Sequence, residues 1–229
     1  MTILIINNYY KKRNLNKVDQ IASALKQIGE TKHVIWGFSE IDNKKIPDNL
    51  EAVILSGSAA RLKNQVVGPD YTIEIEFLKK IQVPILGICF GHQLIAKAFG
   101  SKIESLEHPS TNFQKITIVE PDEIFSSWKA GDEILVCQHH QDYIANPPEG
   151  FICLAVSHTQ SRKIVEGMKH KIKPIYGVQA HIERAKDQHP AGRLLLKNFI
   201  VNVVEKIKAE EFKKKVEESE ENYGVSDIF

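Results

Sequence analysis

Four runs of the chain, ILII at 3–6, VIW at 34–36, AVIL at 52–55 and PILGI at 84–88, are apolar at consecutive rather than alternate positions. A strand can be apolar throughout only where both its faces are buried, the condition of a parallel sheet covered by helices on each side. The intervening segments have a different period. Over 16–28, Val18, Ile21, Ala22, Leu25 and Ile28 recur at helical spacing, and Gly29 stands where a left-handed residue closes a helix. Two more helices are predicted, over 71–80 and from His92 to Phe99, the second closed by Gly100. This βαβ rhythm predicts an α/β fold built on a single doubly wound, mostly parallel sheet with flanking helices.

Beyond Gly100 the strand-like pieces fall at 116–119, 134–137, 153–156 and 175–179, divided by turn signals such as NPPEG at 146–150. They predict a small antiparallel section on the same sheet. A last helix is expected from about Ala191, with Leu194, Leu195, Asn198, Phe199 and Val203 on its inward face. No Gly-, Ser- or Pro-rich linker and no internal repeat divides the 229 residues, enough for one large domain.

Composition excludes several classes. With 42% hydrophobic and 26% charged residues the chain is neither disordered nor collagen-like. Thirty Lys plus Arg against 29 Asp plus Glu give no electrostatic reason to expect nucleic acid or an anionic membrane as partner. The opening MTILII has no basic region before its apolar run, and no stretch approaches the roughly 18 apolar residues of a membrane span. Three scattered cysteines, Cys89, Cys137 and Cys153, make no disulfide framework and no CxxC pair, which favours a reducing, cytoplasmic setting. Cys137 and Cys153 sit in strand-like runs and read as core residues.

The sharpest local signal is GICFG at 87–91, where an apolar strand meets a helix. It has the Gly-x-nucleophile-x-Gly form of a nucleophile elbow, with Cys89 at the centre. Residues without a Cβ relieve the crowding of so tight a turn, and the helix N-terminus favours a thiolate and offers N–H groups to an oxyanion. The plainer alternative is a buried structural cysteine. A cysteine nucleophile needs a base and the base an orienting group. Late in the chain the apolar run of YGVQAHIE, 176–183, ends at His181, and Glu183 lies two residues on, projecting to the same side of an extended segment. Taken in isolation, a surface His and Glu at a loop entrance is the more ordinary reading of the pair. The pair His139-His140 invites a metal reading, but adjacent strand residues face opposite ways and no second cluster has ligand spacing, so neither metal nor cofactor is expected. NNYY at 7–10, after the first strand, lies where open α/β sheets place functional loops, and equally suits a plain turn.

GICFGHQ at 87–93 and YGVQAHIE at 176–183, in this order and with Cys89 and His181 separated by 92 positions, resemble the signature of class I glutamine amidotransferases. The resemblance extends over about 1–202: ILSGS at 54–58 occupies the place of the family's Gly-rich oxyanion loop, and QHHQD at 138–142 resembles the segment that holds the substrate's amino-acid end. It implies a flavodoxin-like sheet and a Cys-His-Glu triad of Cys89, His181 and Glu183 that hydrolyses L-glutamine through a γ-glutamyl thioester. It further implies an oxyanion hole from the N–H groups of Ser58 and Phe90, and substrate contacts from Gln93, His139, His140 and Gly57. The chain departs from the family at Ser58-Ala59, where Gly-Pro is usual, and at Ala180 and Ile182, where Phe and Pro flank the histidine.

No GxxxxGK[ST] loop is present, so the resemblance implies that ammonia passes to a synthetase on another polypeptide. Within the family, YGVQ followed by AGRLLLKNFI at 191–200 most resembles the glutaminase part of GMP synthase, whose acceptor is an ATP-pyrophosphatase subunit. A stand-alone γ-glutamyl hydrolase with the same triad, and a non-catalytic regulatory module on the same fold, remain as alternatives. The sequence is compatible with a homo-oligomer. The family-like region ends near Asn202, and 203–229 read as a charged, helical extension with five Lys and eight acidic residues, leaving a formal charge of +4 on the rest.

Overall fold

The computed structural model describes residues 2–30, 32–63 and 70–223. Among these, nine strands form one sheet: β1 (Thr2–Asn7), β2 (His33–Gly37), β3 (Leu50–Leu55), β4 (Ile85–Ile88), β5 (Glu104–Ile118), β6 (Glu133–Tyr143), β7 (Phe151–Thr159), β8 (Arg162–His170) and β9 (Ile175–Val178). Their spatial order is β2-β1-β3-β4-β9-β8-β7-β5-β6. The first five in that order run parallel, and from β9 onward each neighbour is antiparallel. Helices α1 (Asp19–Gln27), α2 (Thr72–Lys80), α3 (Phe90–Ala98), α4 (Ala191–Asn198) and α5 (Lys206–Tyr223) accompany it, α4 and α5 being joined by a π-helical stretch, Phe199–Glu205.

Consecutive apolar residues in β1 do face two cores. Ile3 and Ile5 pack with Ile54, Leu86 and Ile88 beneath α1 and α4, whereas Leu4 and Ile6 pack with Val53, Leu55 and Ile85 beneath α2 and α3. The doubly wound α/β fold expected from the apolar runs is therefore present. Gly29 and Gly100 adopt φ values of +93° and +91° after α1 and α3, the left-handed closures that their positions require.

The antiparallel section is larger than the short runs suggest. β5 is 15 residues long because one stretch pairs with β6 and its far end with β7, and β8 carries apolar side chains at only a few positions between Lys and Arg ends. β2 is an edge strand, and its Ile35 is 36% exposed. In the last helix Leu194 turns outward, and Leu196 takes its place inside beside Leu195 and Phe199. The π-helical stretch turns Asn202 onto the turn at Glu123–Phe125, where its amide, like that of Asn198, donates to backbone carbonyls at 3.0 Å. Val203 and Val204 stay in the core, so burial continues past Asn202. Lys208 of α5 then pairs with Glu51 at 2.7 Å. Cys137 and Cys153 are half-buried. No helix among the described residues is long and apolar enough to cross a membrane.

Candidate active site

The carboxyl ends of β1, β3, β4 and β9 deliver their loops to one place, the crevice where open α/β sheets gather functional groups. β4 stops at Ile88 and α3 starts at Phe90, so Cys89 alone makes the turn, with φ +52° and ψ −100°. A residue with a Cβ enters this region only under constraint from its surroundings. The constraint is visible on both sides. A Cβ on Gly87 would lie 2.6 Å from the carbonyl carbon and oxygen of Gly91, and one on Gly91 would lie 2.6 Å from the Leu55 Cβ. The backbone then locks Cys89 in place: its N–H donates to the Val178 carbonyl at 2.8 Å, and its carbonyl accepts from the Gln93 N–H at 3.1 Å.

His181 lies just beyond the end of β9, its N–H donating to the Cys137 carbonyl of β6 at 2.8 Å. Its Nδ1 donates to Glu183 Oε1 at 2.7 Å, and both side chains are only 3% exposed. Burial pulls the imidazolium pKa down, but the Cys89 sulfur and the Glu183 carboxylate outweigh burial and lift it to about 10. Burial likewise pushes the Glu183 carboxyl up, and the His181 charge outweighs it to hold that carboxyl below its usual range. Gly57 completes this group. A Cβ there would sit 2.7 Å from His181 Cε1, so only glycine lets the β3 loop approach the ring.

Ser58, Cys89, Phe90, Gln93, His139 and His140 share the wall of one cavity of about 370 Å³. Ser58 Oγ donates to the Asn8 carbonyl at 2.7 Å and accepts from the Ala60 N–H at 3.0 Å, so the hydroxyl shapes a loop that lacks the usual Gly-Pro. Phe90 opens α3, where backbone N–H groups have no partner within the helix. The Gln93 amide donates to the Asp142 carbonyl at 2.6 Å and to Gln179 Oε1 at 3.1 Å. The two adjacent histidines differ sharply. His140 is buried, donates from Nδ1 to the Asp142 carbonyl at 3.1 Å, and is pushed by burial to a pKa of about 4. His139 is exposed, with its ring centroid 6.4 Å from that of His181. Among the described residues no group of three or more His, Cys, Asp or Glu is placed to hold a metal ion.

A strained cysteine at a strand-to-helix turn facing a buried His-Glu pair is the arrangement that the motifs imply, and residues 10–203 match the family model for glutamine amidotransferase class-I. The chain belongs to the class-I glutamine amidotransferases. It is 34% identical over 185 residues to the glutamine-hydrolyzing GMP synthase subunit of Methanocaldococcus jannaschii, covering 80% of this chain and 89% of that one. The corresponding protein of Pyrococcus abyssi is 37% identical over 182 residues, with 80% and 90% covered. Among solved structures, a protein from Thermoplasma acidophilum described as a GMP synthase subunit superposes with a TM-score of 0.73 at 25% identity, over 93% of this chain and 98% of its own. A glutamine amidotransferase from Thermotoga maritima shares the fold at a TM-score of 0.69 and 16% identity, over 90% and 98%.

In this glutamine amidotransferase the NNYY loop does border the site. Tyr9 is buried, and its hydroxyl would stand 3.0 Å from a Cβ on Gly57 and accepts from Arg184 at 3.5 Å; burial raises its pKa well beyond the usual phenol range. Three further residues enter the site with no role that their motifs assign. Gln179 brings its amide to 3.7 Å from the Cys89 sulfur. It is the glutamine that directly follows β9, within the YGVQAHIE motif. Arg61 and Asp142 meet across the cavity mouth; Asp142 ends the QHHQD segment, but nothing in the sequence pairs it with Arg61, 81 residues away on a loop.

Proposed function

We propose that this chain hydrolyses the side-chain amide of L-glutamine with Cys89, His181 and Glu183, and supplies the ammonia to a separate synthetase, the ATP-pyrophosphatase subunit of GMP synthase. The observation that carries the reading is the buried His181–Glu183 pair, 2.7 Å apart, beside a cysteine held at positive φ. The thiolate of Cys89 attacks the carboxamide carbon, forming a C–S bond and placing charge on the amide oxygen. The N–H groups of Ser58 and Phe90 receive that oxyanion. His181, kept protonated by its neighbours, gives its proton to the departing nitrogen as the C–N bond breaks, which releases ammonia and leaves a γ-glutamyl thioester. The neutral imidazole then takes a proton from water as its oxygen attacks the thioester carbon. Glutamate leaves and Cys89 departs as a thiolate. Glu183 holds His181 in the tautomer and orientation that both steps need.

Gln93, His139 and His140 are assigned to the substrate from their place on the cavity wall. The names of the archaeal relatives support the choice of partner. We assign catalysis to 1–202 and read 203–229 as a charged extension. The test has two arms. Cys89→Ser should abolish glutamate release from glutamine, and the wild-type chain mixed with a GMP synthase ATP-pyrophosphatase subunit, XMP and ATP should make GMP from glutamine. Retained hydrolysis in Cys89→Ser would overturn the triad. Failure of GMP synthesis with glutamine, while free ammonia still supports it, would overturn the partner. Faster turnover of γ-glutamyl peptides than of glutamine would favour a stand-alone hydrolase.

A further inference from the structure

One side chain joins the loop that carries Ser58 to the groups on the opposite wall of the cavity. The Asp142 carboxylate is almost fully buried and accepts from three directions: Arg61 Nε at 2.7 Å and Nη2 at 2.6 Å, Ser105 Oγ at 2.7 Å, and the Lys63 N–H at 3.3 Å. Arg61 spends its remaining nitrogen on Gln141 Oε1 at 2.6 Å. The backbone carbonyl of Asp142 accepts from Gln93 and His140. From Gln93 the chain of contacts runs through Gln179 to the Cys89 sulfur. Charge-assisted bonds to a buried carboxylate are roughly twice as strong as neutral ones, and here two Arg61 nitrogens converge on Oδ1 while Oδ2 takes the Lys63 N–H.

We propose that Asp142 is a positioning residue that sets the oxyanion loop through Arg61 and Lys63 and, through its carbonyl, ties that setting to the side chains that hold the substrate. The loop departs from the family at Ser58-Ala59, where Gly-Pro is usual, and the Arg61–Asp142 tie supplies from outside the turn the constraint that a proline would supply from within. The inference rests on the assignment of Ser58 and Phe90 as oxyanion donors. It predicts that loosening the tie weakens transition-state stabilisation while leaving Cys89 and His181 as they are.

Two reagents separate these effects on the full-length chain. A chloromethyl ketone analogue of glutamine places a carbonyl oxygen where the oxyanion forms, whereas iodoacetamide alkylates a thiolate by displacement at carbon with no oxyanion. Asp142→Asn and the half-exposed Arg61→Gln should each slow labelling of Cys89 by the ketone about tenfold or more, a fraction of the roughly 10² to 10³ expected for losing one oxyanion donor outright. Iodoacetamide labelling should change less than about twofold. In glutamine hydrolysis kcat should fall with KM changed less than about threefold, Arg61→Lys should recover part of the loss, and the double variant should be no worse than Asp142→Asn. Unchanged ketone labelling in both variants would overturn the proposal. So would a parallel fall with both reagents, which would mean that the triad itself had collapsed, or a rise in KM alone, which would make Arg61 a substrate-binding group. Cys89→Ser serves as the separate control. If it remains active the whole site assignment fails, whereas a dead Cys89→Ser beside an undisturbed Asp142→Asn removes only the positioning role.

Discussion

Gly57→Ala is the smallest change that reaches His181, the proposed general base, from outside the proposed triad. The added methyl carbon would lie 2.7 Å from His181 Cε1, 3.0 Å from the Tyr9 hydroxyl oxygen and 3.5 Å from His181 Nδ1. Carbon atoms rest at about 3.5–4.0 Å, so loop and ring must separate by about 1 Å. The ring has little room to yield, since Nδ1 is held by Glu183 at 2.7 Å and the histidine backbone by Cys137 at 2.8 Å. A misplacement of about 1 Å costs on the order of 10² in rate, or roughly 3 kcal/mol of transition-state stabilisation. Gly57 is not on the cavity wall that Cys89, Gln93, His139 and His140 share, so substrate binding is left largely alone. The expected result is a kcat near one hundredth of wild type with KM within about threefold, read from glutamate release, and an unfolding free energy lowered by the roughly 1–3 kcal/mol typical of overpacking. A folded Gly57→Ala protein with wild-type kcat would refute the argument, because it would mean that His181 can move away from the loop without loss.

Three other perturbations have definite expected outcomes. Ser58→Ala removes the hydroxyl that joins the Asn8 carbonyl to the Ala60 N–H but keeps the backbone N–H, and the loss of about 1 to 1.5 kcal/mol of loop ordering should lower kcat about tenfold at most, measured beside Gly57→Ala. Glu166 is buried, and although Ser157 and Gln138 donate to it at 2.6 and 2.7 Å, burial raises its carboxyl from 4.5 to about 7. The folded state therefore keeps a proton that the unfolded chain has released, and stability should fall by about 1.4 kcal/mol per unit as pH rises from about 4.5 to about 7; Glu166→Gln should match wild type within about 1 kcal/mol at about pH 5 and exceed it by about 3 kcal/mol at about pH 8.5 in urea melts, a difference independent of pH counting against this. Gly167→Ala drives a Cβ to 2.7 Å from the buried Phe125 ring, and the melt should lose about 1–3 kcal/mol while the folded fraction keeps its kcat.

What the sequence makes legible depends on where the determining contacts lie along the chain. The parallel half of the sheet is legible because double-sided burial writes itself into consecutive residues, and Ile3 to Ile6 divide between the two cores as that pattern requires. The antiparallel half is shortened in the reading because only part of each strand is apolar. In β5, for example, Leu106, Ser110, Ile116 and Ile118 are buried among exposed or half-exposed neighbours, and the register shifts between Ser105 and Ser110. β8 escapes because Glu166 and Gly167 interrupt the apolar signal of its buried stretch from Ile164 to Met168, and no hydropathy pattern would place Glu166 inside.

The site divides along the same line. Cys89, His181 and Glu183 stand out because each sits at the end of an apolar run, in a motif whose glycines and spacing follow from local geometry: Gly87 and Gly91 are required by atoms within four residues or by the strand directly alongside. Arg61 does not, and NNYY and QHHQD mark Tyr9 and Asp142 only as members of candidate segments, because the importance of all three lies in a meeting, of β1 with the β3 loop and of that loop with β6, which exists only once the sheet order is fixed. The strand order brings β6, last at one edge in the ladder, to the mouth of a crevice formed by β1, β3, β4 and β9. It can do so only if the antiparallel section bends back over the crevice, and the hydrogen bond from the His181 N–H to the Cys137 carbonyl fixes that return. The antiparallel section thus closes one wall of the site, and substitutions along β6 should act on activity through Asp142 and the Cys137 carbonyl even where they leave Cys89, His181 and Glu183 unchanged.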